Sequence, residues 1–208
     1  MGNESGSFTG ELILASGSAA RKQMLQAAGV VFRVVPADID EAAIRKTLTA
    51  NDAEIEPGDV AEVLARAKAE AVSTDHPGVL VVGADQVLSL GDRIFEKPAD
   101  CDVARDQLLA LRGRTHRLYS AVVLALDGET VWSTGDMADM TMRPFSPEFL
   151  GAYLAAGGDA ICQSVGAYQL EGLGAQLFEK IEGDYFTILG MPLLGLLNEL
   201  RGRGALRT

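Results

Sequence analysis

Apolar residues along this chain follow two rhythms that alternate. Short continuous runs, Leu12-Ile13-Leu14-Ala15 and Val79-Leu80-Val81-Val82, predict buried strands, and a less regular apolar stretch predicts another from Val30 to Pro36. Helical spacing intervenes. It predicts a helix from about 20 to 28 that stops at Gly29, and a second over 58–73 whose Val60, Val63, Leu64, Ala67 and Ala71 make one apolar stripe. A third covers 102–112 on Val103, Leu108, Leu109 and Leu111, ahead of Gly113. Ser146-Pro147-Glu148 caps a fourth that runs to Gly157-Gly158, and Pro192 starts a fifth on Leu193, Leu194, Leu196, Leu197 and Leu200.

Two long β-rich segments, 115–126 and 129–142, are joined by Asp127-Gly128, a hairpin turn pair. Gly91-Asp92 predicts another turn, from which a short strand returns through Ile94 and Phe95 to Glu96-Lys97-Pro98. Residues 42–56 are charged and weakly periodic, a mobile and partly helical excursion. In the last third, glycines 166, 172, 174, 183 and 190 punctuate what read as short strands. Residues 1–10 read as a disordered tail, 11–203 as one domain and 204–208 as a frayed end.

The 208 residues suffice for one well-packed domain, and 48% hydrophobic with 23% charged residues is ordinary for a globular protein. No apolar run reaches membrane-spanning length, and the first residues lack both the basic region and the apolar core of a signal peptide, so the expected compartment is the cytoplasm. Cys101 and Cys162 lie far apart without metal-ligand spacing and are expected as free thiols. A formal charge of −11 argues against a nucleic-acid partner, as the lack of a long apolar run argues against a membrane one. A small polyanion is still compatible with it, given a local cluster of Lys and Arg and a divalent cation between protein carboxylates and ligand phosphates.

The chemistry concentrates in Val79 to Pro98. Gly83 and Ala84 are small enough to let something approach the backbone, and Asp85 and Gln86 follow on the same interior strand. A hairpin brings Lys97 back towards Asp85, which reads either as site chemistry or as an ion pair at a strand end. Upstream, Ser16-Gly17-Ser18 between a strand and a helix N-terminus reads as an anion site. Arg21, in the first helical turn, opposes the dipole unless an anion lies near. Ser18 is equally a simple N-cap. Asp38, Asp40 and Glu41, past a strand end, are either divalent-metal ligands or a solvated loop. Lys68 stands about 40° around its helix from Leu64, at the edge of the stripe, and either snorkels outward or reaches a site beside the sheet. His116, alone in a strand, reads as structural.

Taken in order, LILASGSAARKQML, ADIDE, ARAKAEA, VVGADQV, EKP, LRGRTH and GAYQLEG…IEGDYFTILGMPL resemble the blocks of the Maf family of nucleotide pyrophosphatases, over roughly residues 12 to 200. The resemblance implies a single α/β domain with a long, curved, mixed sheet flanked by helices, a cleft between two lobes, and a homodimer. It implies hydrolysis of a nucleoside triphosphate to the monophosphate and pyrophosphate with Mg²⁺ or Mn²⁺. Carried onto this chain, Asp85 resembles the proton acceptor, Lys68 and Lys97 the phosphate-binding lysines, Arg21 the phosphate-binding arginine, and Ser16 and Ser18 its loop contacts. Glu41 resembles a residue assisting metal or water, with Asp85 as the other candidate ligand.

Departures from the family pattern bear on substrate. Many relatives read Ser-x-Ser-Pro-Arg-Arg where this chain has Ala19, Ala20 and Arg21; relatives acting on pyrimidines have Thr where it has Gln86 and Gln where it has Glu171. Ala20, Gln86 and Glu171 together are similar to the subgroup acting on 7-methyl-GTP. An ionised Glu171 accepts from both the N1–H and the N2 amino group of guanine, a pattern pyrimidines lack. Glu171 is also compatible with capping a turn or pairing with Lys180. The alternatives are a pyrophosphatase for dTTP and UTP or for a deaminated purine, or a nucleotide-binding regulator of cell division.

Overall fold

The computed structural model describes residues 10–51 and 55–206. Residues 1–9 of the predicted tail, part of the excursion at 52–54, and 207–208 lie outside the described residues.

A seven-stranded mixed sheet organises the chain, in the order β2-β1-β3-β5-β6-β7, with β4 paired to β3. Strand β1 (Leu12–Leu14) lies parallel to β2 (Arg33–Val34) and to β3 (Leu80–Leu90). The remaining pairs are antiparallel: β4 (Arg93–Phe95) and β5 (Thr115–Leu126) to β3, β6 (Glu129–Met142) to β5, and β7 (Phe178–Glu182) to β6. The β5–β6 hairpin has the limits that its alternation predicts. Asp127 and Gly128 both turn through positive φ, 52° and 83°, as a two-residue hairpin turn requires. The strand predicted over Val30 to Pro36 shrinks to two residues. It pairs with β1 alone, and Ile13 and Leu14 are the residues it meets.

Helices α1 (Ala19–Ala27), α2 (Glu41–Asn51), α3 (Pro57–Thr74), α4 (Cys101–Leu111), α5 (Pro147–Gly157), the short α6 (Tyr185–Ile188) and α7 (Leu193–Gly202) cover the sheet. The last third departs from expectation. Residues 158–163, 165–167 and 173–177 form 3₁₀ turns, and only β7 is a strand there. At the C-terminal end Gly204 takes φ 73°, and the N–H groups of Ala205 and Leu206 donate to the Leu200 carbonyl at 2.8 and 3.3 Å. Residues 204–206 therefore fold back on α7 rather than fray.

The apolar stripe of α3 is rotated from its predicted position. Val60, Ala61, Leu64, Ala65, Lys68, Ala69, Val72 and Ser73 are the buried residues, and Ala71 is exposed. Alanines rather than larger residues face the sheet because α3 lies almost on the backbone of β3. A β-carbon on Gly83 would stand 2.2 Å from the Ala65 carbonyl oxygen. The small residues before Asp85 thus admit a helix, and that helix carries Lys68 inward.

Two core clusters flank the middle of β3. Leu12, Leu14, Leu25, Val82 and Leu124 pack with Leu193 and Leu196 of α7 at one end, and Leu88, Phe95, Leu108, Met140 and Phe145 gather at the other. Asp85 lies between these two clusters along β3, on the face where α3 packs through Val60, Leu64 and Ala69.

Candidate active site

Strand β3 has β5 along one edge from Val81 to Ser89. On its other edge β1 pairs with residues 80–82 and β4 with 88–90, which leaves 83–87 open between them. Asp85 is the middle residue of this opening. The chain leaving β1 supplies the Ser16–Ser18 loop from one side, and the chain leaving β4 returns Glu96 and Lys97 from the other. An opening where one neighbouring strand ends and another begins is where α/β sheets place ligands.

Alternation along β3 sends Gly83, Asp85 and Val87 towards α3, while Ala84 and Gln86 face the opposite side. Asp85 is 4% exposed. Its Oδ1 accepts from Lys68 Nζ at 2.6 Å and its Oδ2 from an Arg45 amino group at 3.3 Å. Lys68 Nζ also reaches Glu41 Oε1 at 2.9 Å, so one ammonium bridges the two carboxylates. Burial pushes Glu41 towards neutrality, but the hydrogen bond from Lys68 and the charges of Lys68, Arg45 and Lys97 prevail and hold it below the ordinary range.

Arg21 is buried and turns back from α1. Its Nε donates to the Gly190 carbonyl at 2.9 Å and a terminal nitrogen to Ser16 Oγ at 3.1 Å. Burial lowers its pKa, against the fields of Asp85 and Glu41. Ser18 is the N-cap of α1, accepting from the Arg21 N–H at 3.4 Å, and Ser16 Oγ accepts from Ser18 N–H at 3.3 Å. Ser18 is therefore a cap, and Ser16 orients the arginine. Lys97 stands at the mouth. Desolvation by the cleft walls, and then the nearby Arg21 and Lys68 cations, set its pKa below a lysine's usual value. Gln107 donates to the Glu96 carbonyl at 2.9 Å and so fixes the backbone just before Lys97.

Several sequence readings separate at this point. Asp38 and Asp40 are exposed, and Asp40 caps α2 by accepting from the Ala43 N–H at 2.9 Å, so only Glu41 of the acidic loop enters the cluster. No group of three or more metal-ligating side chains occurs among the described residues. Gln86 leaves Asp85's face altogether. Its amide nitrogen donates to Ser120 Oγ, Thr187 O and Ile188 O at 3.0, 3.2 and 2.9 Å. Ala20 is half-buried on α1 beside Arg21, which also reaches this 187–190 segment. Glu171 lies exposed in the turn at 170–172, and Lys180 pairs with Glu182 at 2.7 Å rather than with Glu171. His116 is structural as expected: it is buried, 2.8 Å from the Tyr168 hydroxyl, with its pKa lowered to about 4 by burial.

Arg45 is the site residue that the sequence reading missed. It fell in the excursion at 42–56, whose first part is the regular helix α2. Its spacing from Glu41, i to i+4, was the available signal, since that pair shares one helix face.

Beyond Lys97 and Arg45 the opening widens into a cavity of about 690 Å³ between α2, β4 and the start of α4. Arg45, Lys46, Arg93 and Lys97 line it against the single acid Glu96. In a chain of charge −11 this is a concentrated cationic surface. The arrangement suits a buried carboxylate acting on a water next to a phosphate held by cations.

Residues 11–203 match the family of Maf-like proteins. A 7-methyl-GTP pyrophosphatase from Mesorhizobium japonicum is 57% identical over 199 residues, covering 96% of this chain and 99% of that protein. A nucleoside triphosphate pyrophosphatase from Paramagnetospirillum magneticum is 54% identical, covering 93% and 99%. A 7-methyl-GTP pyrophosphatase from Brucella abortus is also 54% identical, covering 93% and 96%. Among the described residues no helix is long and apolar enough to cross a membrane.

Proposed function

The chain belongs to the Maf family, and from that premise we propose that it hydrolyses a nucleoside triphosphate between the α- and β-phosphates, releasing the monophosphate and pyrophosphate, with 7-methyl-GTP as its substrate. The observation that carries the reaction is Asp85, a buried carboxylate at the open edge of β3 with a cation on each oxygen. Each carboxylate oxygen has two lone pairs, so both can still accept from a water. Lys68 and Arg45 hold the carboxylate in one orientation, and a positioned base contributes typically about 10²–10⁴-fold.

The α-phosphate belongs beside Asp85, within reach of Lys68 and of the Arg21 edge left after its bonds to Ser16 and Gly190. These cations offset the charge that builds on the phosphate oxygens as water adds. Asp85 takes the water's proton, and pyrophosphate leaves.

Glu41 and Asp85 are the carboxylates that would hold Mg²⁺ or Mn²⁺. Their oxygens already converge on one cation, Lys68 Nζ, at 2.9 and 2.6 Å. Two carboxylates completed by substrate phosphates and water are a donor set that Mg²⁺ accepts. The ion, when bound, neutralises phosphate charge and makes a bound water more acidic.

Two of the named relatives, and the combination of Ala20, Gln86 and Glu171, support 7-methyl-GTP. Methylation at N7 makes the base cationic, which favours an acidic reader such as Glu171. The test is pyrophosphate release from a panel of canonical and modified triphosphates with Mg²⁺ or Mn²⁺ and an EDTA control. The proposal predicts preference for 7-methyl-GTP and silence in EDTA. Preference for dTTP and UTP would refute the substrate, and release undiminished by EDTA would refute the metal.

A further inference from the structure

Cys101 and Cys162 take no part in the chemistry above, yet the fold brings their thiols together. Cys101 is the first residue of α4, and Cys162 sits in the 3₁₀ turn at 158–163 that follows α5. The Cys101 thiol donates to the Gly158 carbonyl of that turn at 3.9 Å, and the Cys162 thiol is in hydrogen-bonding contact with it. Both are reduced and half-buried, so solvent reaches them. We propose that Cys101 and Cys162 form a redox-sensing pair, which a hydroperoxide closes reversibly into an intramolecular disulfide. The proposal stands independently of the pyrophosphatase reading.

The two thiols are held by separately anchored segments. Asp100 caps α4, its Oδ1 accepting from the Asp102 and Val103 N–H groups at 3.0 and 2.9 Å, and Gln107 ties the helix to the Glu96 carbonyl at 2.9 Å. On the other side Ile161 is buried, and a β-carbon on Gly157 would stand 2.5 Å from its Cγ2, so the turn lies tight against the end of α5. Cys162 packs on the same core cluster as Ile161. Sulfurs already in contact between anchored segments can bond with little backbone movement, which is the condition that disulfide geometry sets.

Burial pushes the pKa of the Cys162 thiol up, and the neighbouring Cys101 thiol and the charges of Asp159 and Asp100 push it further, so Cys162 keeps its proton. Cys101 therefore reacts first. Its sulfur attacks one oxygen of the hydroperoxide: an S–O bond forms, the O–O bond breaks, and the departing oxygen takes the thiol proton away as water or an alcohol. Cys101 is thereby oxidised by two electrons to the sulfenic acid and the peroxide is reduced. The Cys162 sulfur then displaces the sulfenic hydroxyl, which leaves as water with the Cys162 proton, and the S–S bond is made. Exchange with a dithiol restores both thiols. Asp100, Asp102 and Asp159 are exposed beside the pair, a setting that repels the anionic glutathione disulfide and admits a neutral hydroperoxide. In a reducing compartment such a bond is transient and signals oxidation rather than bracing the fold.

The experiment treats the reduced protein with hydrogen peroxide and follows intact mass, free thiols and Tm. The expected product is lighter by about 2 Da, has lost both thiols at a rate independent of protein concentration, and reverts in dithiothreitol. Closing so long a loop should raise Tm by about 4–16 °C. Cys162→Ser should stop at a sulfenic acid that dimedone traps on Cys101, and Cys101→Ser should keep its remaining thiol under the same treatment. Oxidised glutathione at equal concentration should act about tenfold more slowly. The wild-type measurement decides the matter even if a serine variant fails to fold. Peroxide that leaves both thiols free, or that yields only higher sulfur oxides or disulfides between chains, overturns the proposal. A bond that lowers Tm also overturns it, because the fold would then not hold the thiols ready, and faster closure by oxidised glutathione overturns the choice of oxidant.

Discussion

Gly83→Ala puts one methyl group where α3 meets β3. Its β-carbon would stand 2.2 Å from the Ala65 carbonyl oxygen and 2.8 Å from both Ala69 N and Ala69 Cβ. None of these is the end of a flexible side chain, so α3 itself has to retreat. Ordinary carbon contacts need about 3.5 Å, so the retreat is about 1 Å. Lys68 lies one residue before Ala69 and moves with it, and its 2.6 Å bond to Asp85 lengthens beyond about 3.2 Å, the working limit for such a bond. Misplacing a catalytic group by about 1 Å costs on the order of 10²-fold in rate. The overpacking itself costs about 1–3 kcal/mol, and a protein of this size loses roughly 2–4 °C of Tm per kcal/mol. The assay pairs kcat/KM for pyrophosphate release with a thermal melt. We expect a fall near a hundredfold with a Tm lower by several degrees. Adding Ala69→Gly removes one of the clashing atoms and should return part of both, while the Ala65 oxygen remains in the way. A Gly83→Ala protein with wild-type kcat/KM and Tm would refute the claim that this glycine sets the distance between Lys68 and Asp85.

Lys97 titrates below an ordinary lysine because of desolvation and its cationic neighbours; phosphates reverse that, so the alkaline limb of kcat/KM should lie at lower pH than that of kcat, and Lys97→Arg should remove it from both. A limb unmoved in Lys97→Arg belongs to another group. His116, with its pKa lowered to about 4 from 6.5, binds its proton more readily when unfolded. Stability is thus full above pH 6.5 and falls by roughly 3 kcal/mol as pH drops through 4. Urea denaturation across that window should show the loss, and His116→Gln should flatten it. Glu171→Gln should reduce hydrolysis of 7-methyl-GTP more than that of pyrimidine triphosphates, by about tenfold if one bidentate contact is lost; an equal loss on both contradicts the base-reading role.

What the sequence discloses is local. The Asp127-Gly128 hairpin, the capping serines at 18 and 146, and the limits of α3 and α5 follow from turn chemistry and spacing within a few residues. Asp85 and Lys97 could be joined through the β3–β4 hairpin. Reading fails where a distant partner decides. Which stripe of α3 is buried depends on Gly83, and once that is fixed Lys68 moves from the edge of the buried face to its interior. Period-two spacing places Gln86 opposite Asp85, but its partners at Ser120, Thr187 and Ile188 lie 34 to 102 positions away and leave no local signal. Arg45 reaches Asp85 across 40 positions, from a helix with little apolar content to reveal it. The 3₁₀ turns of the last third share their glycine and short apolar runs with strands, and only packing against α4 and β3 separates the two.

The account depends most on Asp85 as the base that activates water. The deciding measurement is pyrophosphate release by Asp85→Asn beside its affinity for the same triphosphate. Asparagine keeps the shape and one acceptor oxygen but takes up no proton at neutral pH, so binding should stay within about threefold while turnover falls about 10³-fold or more. Turnover near the wild-type rate in a protein that binds normally would contradict the mechanism at its centre.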